Sequence, residues 1–262
     1  MELHLICDDI LKGLATIPSE SVDCIMTSPD YNLGVKYKNM SLVRRREEYL
    51  KWCCEWGQEL IRVLKPKGSL FLNISGAPSR PLLPFMLPVR FSEFCVLQNT
   101  FHWIKSISVH HKGEQVSVGH FKPLTTPRYV NDLHEYVFHF TKTGNVPIDR
   151  KAIGVPYADK SNIDRWGHTE GADVRCRGNT WYVPYKTIQS RVKNRPHPAT
   201  FPAELALLPF KLTGCGSEST ILDPFVGIGN AGKAARLASA GKFIGIDIEQ
   251  WYIDECRTRN FE

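Results

Sequence analysis

No uninterrupted apolar run in this chain approaches the roughly 18 residues that a helix needs to cross a bilayer. The first ten residues carry acids early and lack the basic-then-apolar order of a secretory leader. Neither a membrane span nor a leader is expected, and the chain reads as cytoplasmic. The eight cysteines (7, 24, 53, 54, 95, 176, 215 and 256) include no C-x-x-C pair. That spacing argues against a zinc site or a disulfide framework, so reduced, mostly buried thiols and no bound metal are expected. Internal repeats and low-complexity segments are also missing, which excludes a solenoid of repeated units.

What is there is a chain of 262 residues, 42% hydrophobic and 23% charged, long enough to bury a full core with an insertion. The charge is unevenly placed. Residues 101–200 hold 15 Lys/Arg against 8 Asp/Glu, whereas the whole chain holds 33 against 27. The positive excess therefore belongs to the middle segment, with eight of the nine histidines. A solvated basic surface is one reading. A surface facing a polyanion is favoured, because clustered bases gain by displacing phosphate counterions.

Apolar spacing predicts a strand over 2–7, a helix over 10–17 and a strand over 22–26. The longest helical pattern runs over 44–64, where Tyr49, Leu50, Trp52, Cys53, Trp56, Leu60, Ile61 and Leu64 recur at three- and four-residue steps. Lys65-Pro66-Lys67-Gly68 reads as its stop, followed by a buried strand over 69–74. This alternation predicts a doubly wound α/β sheet. Strands are expected over 101–109 and 135–141, within a Gly-, Pro- and charge-rich segment that has no long amphipathic helix between 144 and 195. Strand-helix order returns with a helix over 201–211, a strand over 220–222, a helix over 231–240, a strand over 242–246 and a helix over 251–259.

Two strand ends carry the chemistry. The late one, Asp223-Pro224-Phe225-Val226-Gly227-Ile228-Gly229-Asn230, joins a strand to a helix, and the next strand ends in Asp247. Glycines there let a backbone approach a ligand, the helix amino terminus presents N–H groups, and the distal acid suits a ribose diol. Gly232 completes G-x-G-x-x-G, so NAD fits the spacing. Asp223 nevertheless suits a cationic amino-acid group better than a pyrophosphate, which favours S-adenosyl-L-methionine. The early strand end, Thr27-Ser28-Pro29-Asp30-Tyr31-Asn32, offers a hydroxyl, a proline carbonyl and an aromatic ring together.

These residues, in this order, resemble the β-class amino-methylating DNA methyltransferases, in which the catalytic motif precedes the cofactor motif. The resemblance covers nearly the whole chain. Ser28-Pro29-Asp30-Tyr31 is similar to the family's [S/D/N]-P-P-[Y/F] motif, with Asp30 in place of the second proline. Asp223 to Gly229 match D-P-F-x-G-x-G, implying contact with the methionine end of S-adenosyl-L-methionine, and Asn230 stands where threonine is usual. Asp247 matches the ribose-binding acid, and Asp9 the acid near the adenine ring. His197, Pro198, Phe201 and Pro202 match the H-P-A-x-F-P segment that packs on the cofactor.

The resemblance implies an α/β, Rossmann-like methyltransferase sheet with helices on both faces and an inserted target-recognition region. Residues 1–98 would form the catalytic half, 99–180 the recognition region and 181–262 the cofactor half. It also implies duplex DNA as substrate, nucleoid association in a bacterium, a cognate restriction endonuclease and a homodimer as partners. An exocyclic amine is a poor nucleophile. Acceptors at Ser28 Oγ and the Pro29 carbonyl would hold its two protons and favour a pyramidal nitrogen, while Tyr31 stacks the flipped base. Serine at the first position leans towards cytosine N4, with adenine N6 the alternative. Asp30 either bonds within its turn or accepts the amine's proton, or it leaves the site impaired. Arg44, Arg45 and Arg46, at a helix start where bases oppose the dipole, are candidate phosphate contacts, as are Arg175 and Arg177. A DNA-binding protein with a degenerate catalytic turn and a dinucleotide oxidoreductase remain the competing classes.

Overall fold

The computed structural model describes residues 1–32, 44–77, 80–111, 113–119, 121, 126–165, 167–184 and 200–261. His197 and Pro198 lie outside them, as does the basic and aromatic stretch from Tyr185 to Arg195.

Ten strands are present among the described residues: β1 Glu2–Cys7, β2 Val22–Thr27, β3 Leu64–Ile74, β4 Val96–Ile104, β5 Ile107–His111, β6 Glu114–Val118, β7 His134–Thr141, β8 Thr180–Tyr182, β9 Thr220–Asp223 and β10 Lys242–Asp247. Helices are α1 Ile10–Ala15, α2 Arg46–Val63, α3 Leu83–Phe91, α4 Ser161–Arg165, α5 Ala203–Leu212, α6 Asn230–Leu237 and α7 Gln250–Phe261. Eight strands form one sheet in the order β1-β10-β9-β2-β3-β7-β4-β8. The run from β1 to β3 is parallel, and β7 is antiparallel to both its neighbours. Alternate residues of the sheet face two apolar layers, as a doubly wound sheet requires. Leu14, Tyr49, Trp56, Leu60 and Phe91 pack one face, and Phe101, Trp181, Leu205, Phe210 and Ala234 pack the other.

The predicted periodic helices form where expected. At the start of α2 the Arg45 amide donates to Glu48 Oε2 at 3.2 Å, and Glu47 and Glu48 lie in the first turn. Arg62 then donates to the Leu14 and Ile17 carbonyls at 2.9 and 3.0 Å, closing the carboxyl end of α1. Asp23, which interrupts the apolar run of β2, accepts Lys65 Nζ at 2.8 Å and the Thr220 amide at 2.8 Å.

Two local expectations change, and two elements, α3 and β8, were not expected. The stop after α2 has no separate loop: β3 begins at Leu64, and a bulge opposite Val22 and Cys24 absorbs the extra residues. The strand expected over 101–109 is two strands. β4 ends at Ile104, and β5 and β6 form a separate two-stranded hairpin. α3 carries Pro84 in its first turn, where no N–H is needed, and Pro88 inside; this short apolar helix had no legible amphipathic stripe. β8 is three residues long and pairs with β4, its Trp181 stacked on Phe101 at 4.1 Å. Residues 99–180 thus supply β7 and most of β4 to the main sheet.

His139 lies inside that sheet, stacked on Phe71 at 4.4 Å. Asn99 Nδ2 approaches its Nδ1 at 3.0 Å and can only donate, so the ring proton sits on Nε2 and is donated to Ser69 Oγ at 3.0 Å. Burial pushes its pKa down to about 4. The unfolded chain therefore takes up a proton below its ordinary value near 6.5, and stability is lost as pH falls from there towards 4. In urea unfolding, the stability of the wild type relative to His139→Gln should fall by on the order of 3 kcal/mol over that window.

Candidate functional site

Strand order brings the two motif loops together. β2 and β9 are parallel neighbours, Cys24 opposite Ile221 and Ile25 opposite Leu222, although nearly 200 residues separate them. Ligands bind in α/β sheets at the carboxyl ends of strands where the winding reverses, and both loops leave the sheet there. Thr27 Oγ1 donates to Asp223 Oδ1 at 2.9 Å, and the Phe225 amide donates to the same oxygen at 3.1 Å. One carboxylate oxygen therefore fastens the catalytic-motif strand to the D-P-F turn.

The cofactor-motif loop is held from three sides. Its Phe225 ring sits edge-on to Trp52 and Trp56 of α2, with centroids 5.9 and 5.4 Å away. The Gly227 amide donates to Asp247 Oδ2 at 3.0 Å, and the Val226 amide to the Ile246 carbonyl at 2.9 Å. Asn230 Nδ2 donates to the Phe201 carbonyl at 2.6 Å, coupling the loop to the end of the H-P-A-x-F-P segment. Asn230 thus has a concrete structural use in place of the usual threonine. Gly229 adopts φ 84° as the N-cap of α6, and a side chain there would strike Cys256 and Asn260 of α7. Pro224, Gly227, Gly229 and Phe201 are buried, and Pro202 caps α5. At the neighbouring strand end, Asp9 caps α1 by accepting the Leu11 amide at 3.0 Å, two residues beyond Cys7, which pairs with Asp247.

Asp223 is 1% exposed, and burial pushes its carboxyl up to about 7, with the Asp247 charge adding to the rise. Burial likewise raises Asp247 to about 6. Among the described residues no basic side chain offsets either acid. A buried and a half-buried carboxyl, neither offset by a base, fit a ligand that brings positive charge and a diol, and they oppose a pyrophosphate.

In the SPDY motif Pro29 is buried, and hydrogen bonds tie down the residues on either side of it. Tyr49 Oη donates to the Asp30 carbonyl at 2.6 Å. Burial raises the Asp30 carboxyl, opposed by a bond from the Asn32 backbone and by Arg44 and Arg80 nearby. That bond is the within-turn arrangement of an Asx turn. Asn32 is buried in the left-handed region at φ 56°; its side chain donates to the Arg44 carbonyl at 2.9 Å and accepts the Arg44 amide at 2.8 Å. Arg80 donates to the Asn32 carbonyl.

Three residues join the motif that no pattern in the sequence singled out. Ser28 Oγ lies 2.8 Å from Tyr31 Oη, and Tyr31 Oη donates to Glu135 Oε2 at 2.9 Å. Asn73 Nδ2 donates to Tyr31 Oη at 2.7 Å and to Glu135 Oε2 at 2.8 Å. Lys105 Nζ pairs with Glu135 Oε1 at 3.0 Å. Asn73 closes β3, Glu135 opens β7 and Lys105 follows β4, so the antiparallel entry of β7 is what delivers the carboxylate.

The arginines are dispersed. Arg44 lies 4.3 Å above the Trp52 ring in a cation–π contact, while Arg45 and Arg46 are exposed at the start of α2. Arg175 is exposed beside its backbone bridge to Val155, and Arg177 Nε donates to the Ile153 carbonyl at 2.9 Å.

A family profile described as DNA methylase matches residues 22–257. The chain is 30% identical over 258 residues to the Type II methyltransferase M.BglII of Bacillus subtilis, covering 94% of this chain and 65% of that protein, so it spans about two thirds of that relative's length. It is 28% identical over 258 residues to the DNA adenine methyltransferase YhdJ of Escherichia coli (strain K12), covering 95% of this chain and 79% of that one. Among solved structures, it is similar to PvuII DNA methyltransferase (cytosine-N4-specific), with a TM-score of 0.72, 20% identity, and 100% and 87% of the two chains covered. It is also similar to a DNA modification methylase of Thermus thermophilus complexed with S-adenosyl-L-methionine, with a TM-score of 0.61, 21% identity, and 98% and 92% coverage. At those identities the two structures speak to the fold, and they share the one found here. With the profile spanning both motif loops and everything between them, this chain belongs to the N4/N6 amino-methylating DNA methylases, whose cofactor is S-adenosyl-L-methionine.

Proposed function

We propose that this protein transfers a methyl group from S-adenosyl-L-methionine to the exocyclic N4 amine of a flipped cytosine in duplex DNA. The observation that carries the reading is the juxtaposition of Ser28 and Asp223 across β2 and β9, bridged by Thr27. The cofactor supplies an activated methyl on a sulfonium. In this reading Asp223 receives its ammonium, Asp247 its ribose diol and Asp9 its adenine. Ser28 Oγ and the Pro29 carbonyl hold the two amine protons, and the Tyr31 ring stacks the base. Serine at position 28 favours cytosine. The likeness to YhdJ, named as an adenine methyltransferase, favours adenine N6 as the second reading.

For DNA contacts, the hairpin β5–β6 begins two residues after Lys105, at the edge of the motif, and exposes His110, His111, Val109, Val116 and Val118. This hairpin lies outside the main sheet, and with Arg175, exposed in its own loop, it suits target recognition. Arg45 and Arg46 suit the phosphate backbone. A cognate endonuclease and a homodimer remain expectations of the family.

Nucleoside analysis of DNA incubated with protein and cofactor should reveal N4-methylcytosine. N6-methyladenine instead would establish the second reading, and no methylated base would leave a DNA-binding protein. Ser28→Ala should lower the rate by roughly 100-fold or more while cofactor binding survives. Asp30→Pro should keep activity, since the family turn carries proline there; its complete loss would make Asp30 the proton acceptor.

The buried acids set a pH dependence. A cationic ligand needs Asp223 ionised, so cofactor affinity should climb as pH rises towards about 7 and level off above it. The folded carboxyl is raised above its ordinary value, so the stability that Asp223 contributes to the empty protein should fall over the same rise, from about 4 to about 7. Calorimetry of Asp223→Asn should show both halves: a higher melting temperature at pH 8 and a roughly tenfold or greater loss of cofactor affinity.

A further inference from the structure

We propose that Glu135, held by Lys105, is a positioning residue that fixes the direction of the Ser28–Tyr31 hydrogen-bond chain and takes up, at its far end, the proton lost from the methylated amine. The inference rests on the amino-methyltransferase reading above.

A phenol has one proton, and that of Tyr31 goes to Glu135 Oε2 at 2.9 Å. In the 2.8 Å contact between Ser28 and Tyr31, the serine must therefore be the donor. Asn73 enforces the same polarity, because its amide nitrogen donates to both Tyr31 Oη and Glu135 Oε2. The opposite amide orientation would set the Asn73 oxygen against the carboxylate, so the observed one stands even though it leaves Asn73 Oδ1 buried without a partner. With its own proton committed to Tyr31, Ser28 Oγ meets the target amine as an acceptor, which is the role methyl transfer requires. Lys105 Nζ, 3.0 Å from the other carboxylate oxygen, orients Glu135 so that Oε2 faces Tyr31 as an acceptor.

The proton balance follows the same path. Transfer of the methyl leaves a cationic amine, and one N–H bond must break. Ser28 Oγ accepts that proton as its own passes to Tyr31 Oη and the tyrosine's passes to Glu135 Oε2. The N–H electron pair stays on nitrogen, and a carboxylate becomes a carboxylic acid. Its side chain is 13% exposed, which gives the proton a way out to water.

The test is steady-state kinetics of Glu135→Gln, Glu135→Asp, Tyr31→Phe and the double variant Tyr31→Phe/Glu135→Gln, with melting temperatures taken alongside. Glutamine keeps the shape but presents an amide, so kcat should fall roughly 100-fold while KM for DNA changes by less than about threefold. Glu135→Asp should recover part of the rate. Tyr31→Phe retains the stacking ring and should lose about as much as Glu135→Gln, and the double variant should be no worse than either, since both act through one chain. Near wild-type kcat in Glu135→Gln, or fully additive losses, would overturn the proposal. If Glu135→Gln fails to fold, Tyr31→Phe decides: an unchanged kcat there also overturns it. An inactive wild-type protein would instead defeat the methyltransferase reading itself.

Discussion

A single carboxylate oxygen, Asp223 Oδ1, receives the Thr27 hydroxyl from one strand and the Phe225 amide from its own turn. The two motif loops have no sequence proximity to keep them together. Their relative position is set by β2 and β9 lying side by side and by this contact at their carboxyl ends. Such a bond is worth more where water is excluded, and both partners are buried. It also leaves an acid in an apolar surround that nothing among the described residues neutralises. The geometry that aligns the site thus creates the charge deficit that a sulfonium- and ammonium-bearing molecule suits.

Much of this was legible because it is local. A loop between a strand and a helix, with glycines at φ 48° and 84°, needs only neighbouring residues to declare itself, and so does the three- and four-residue stripe of α2. The resemblance added the order of the motifs, and strand pairing then supplied their contact. The parts missed are those decided at long range. Asn73, Lys105 and Glu135 sit at the ends of three strands, and only the antiparallel insertion of β7 between β3 and β4 gathers them. An isolated Glu in an alternating strand reads as a solvent-facing residue. Likewise α3 is apolar on most sides and interrupted by proline, so periodicity had nothing to count.

The aromatic side chains behave similarly. Phe225, read as a cofactor contact, is also one wall of a cluster with Trp52 and Trp56, so α2 braces the cofactor turn. Arg44 covers another face of Trp52, which turns a base that the helix dipole disfavours into a lid on indole. Helix, turn and catalytic motif therefore share one set of contacts, and a change in any of them reaches the others.

Asn32 acts as a staple. Its side chain bonds both backbone groups of Arg44, twelve positions further on, from a left-handed conformation that asparagine tolerates. The chain between is thereby closed at its base, independently of what fills it. Lengthening a closed loop costs little, as the entropy grows only with the logarithm of its length. Evolution or an engineer can therefore graft segments of different length and composition between Asn32 and Arg44 while the contacts that hold Ser28 stay in place.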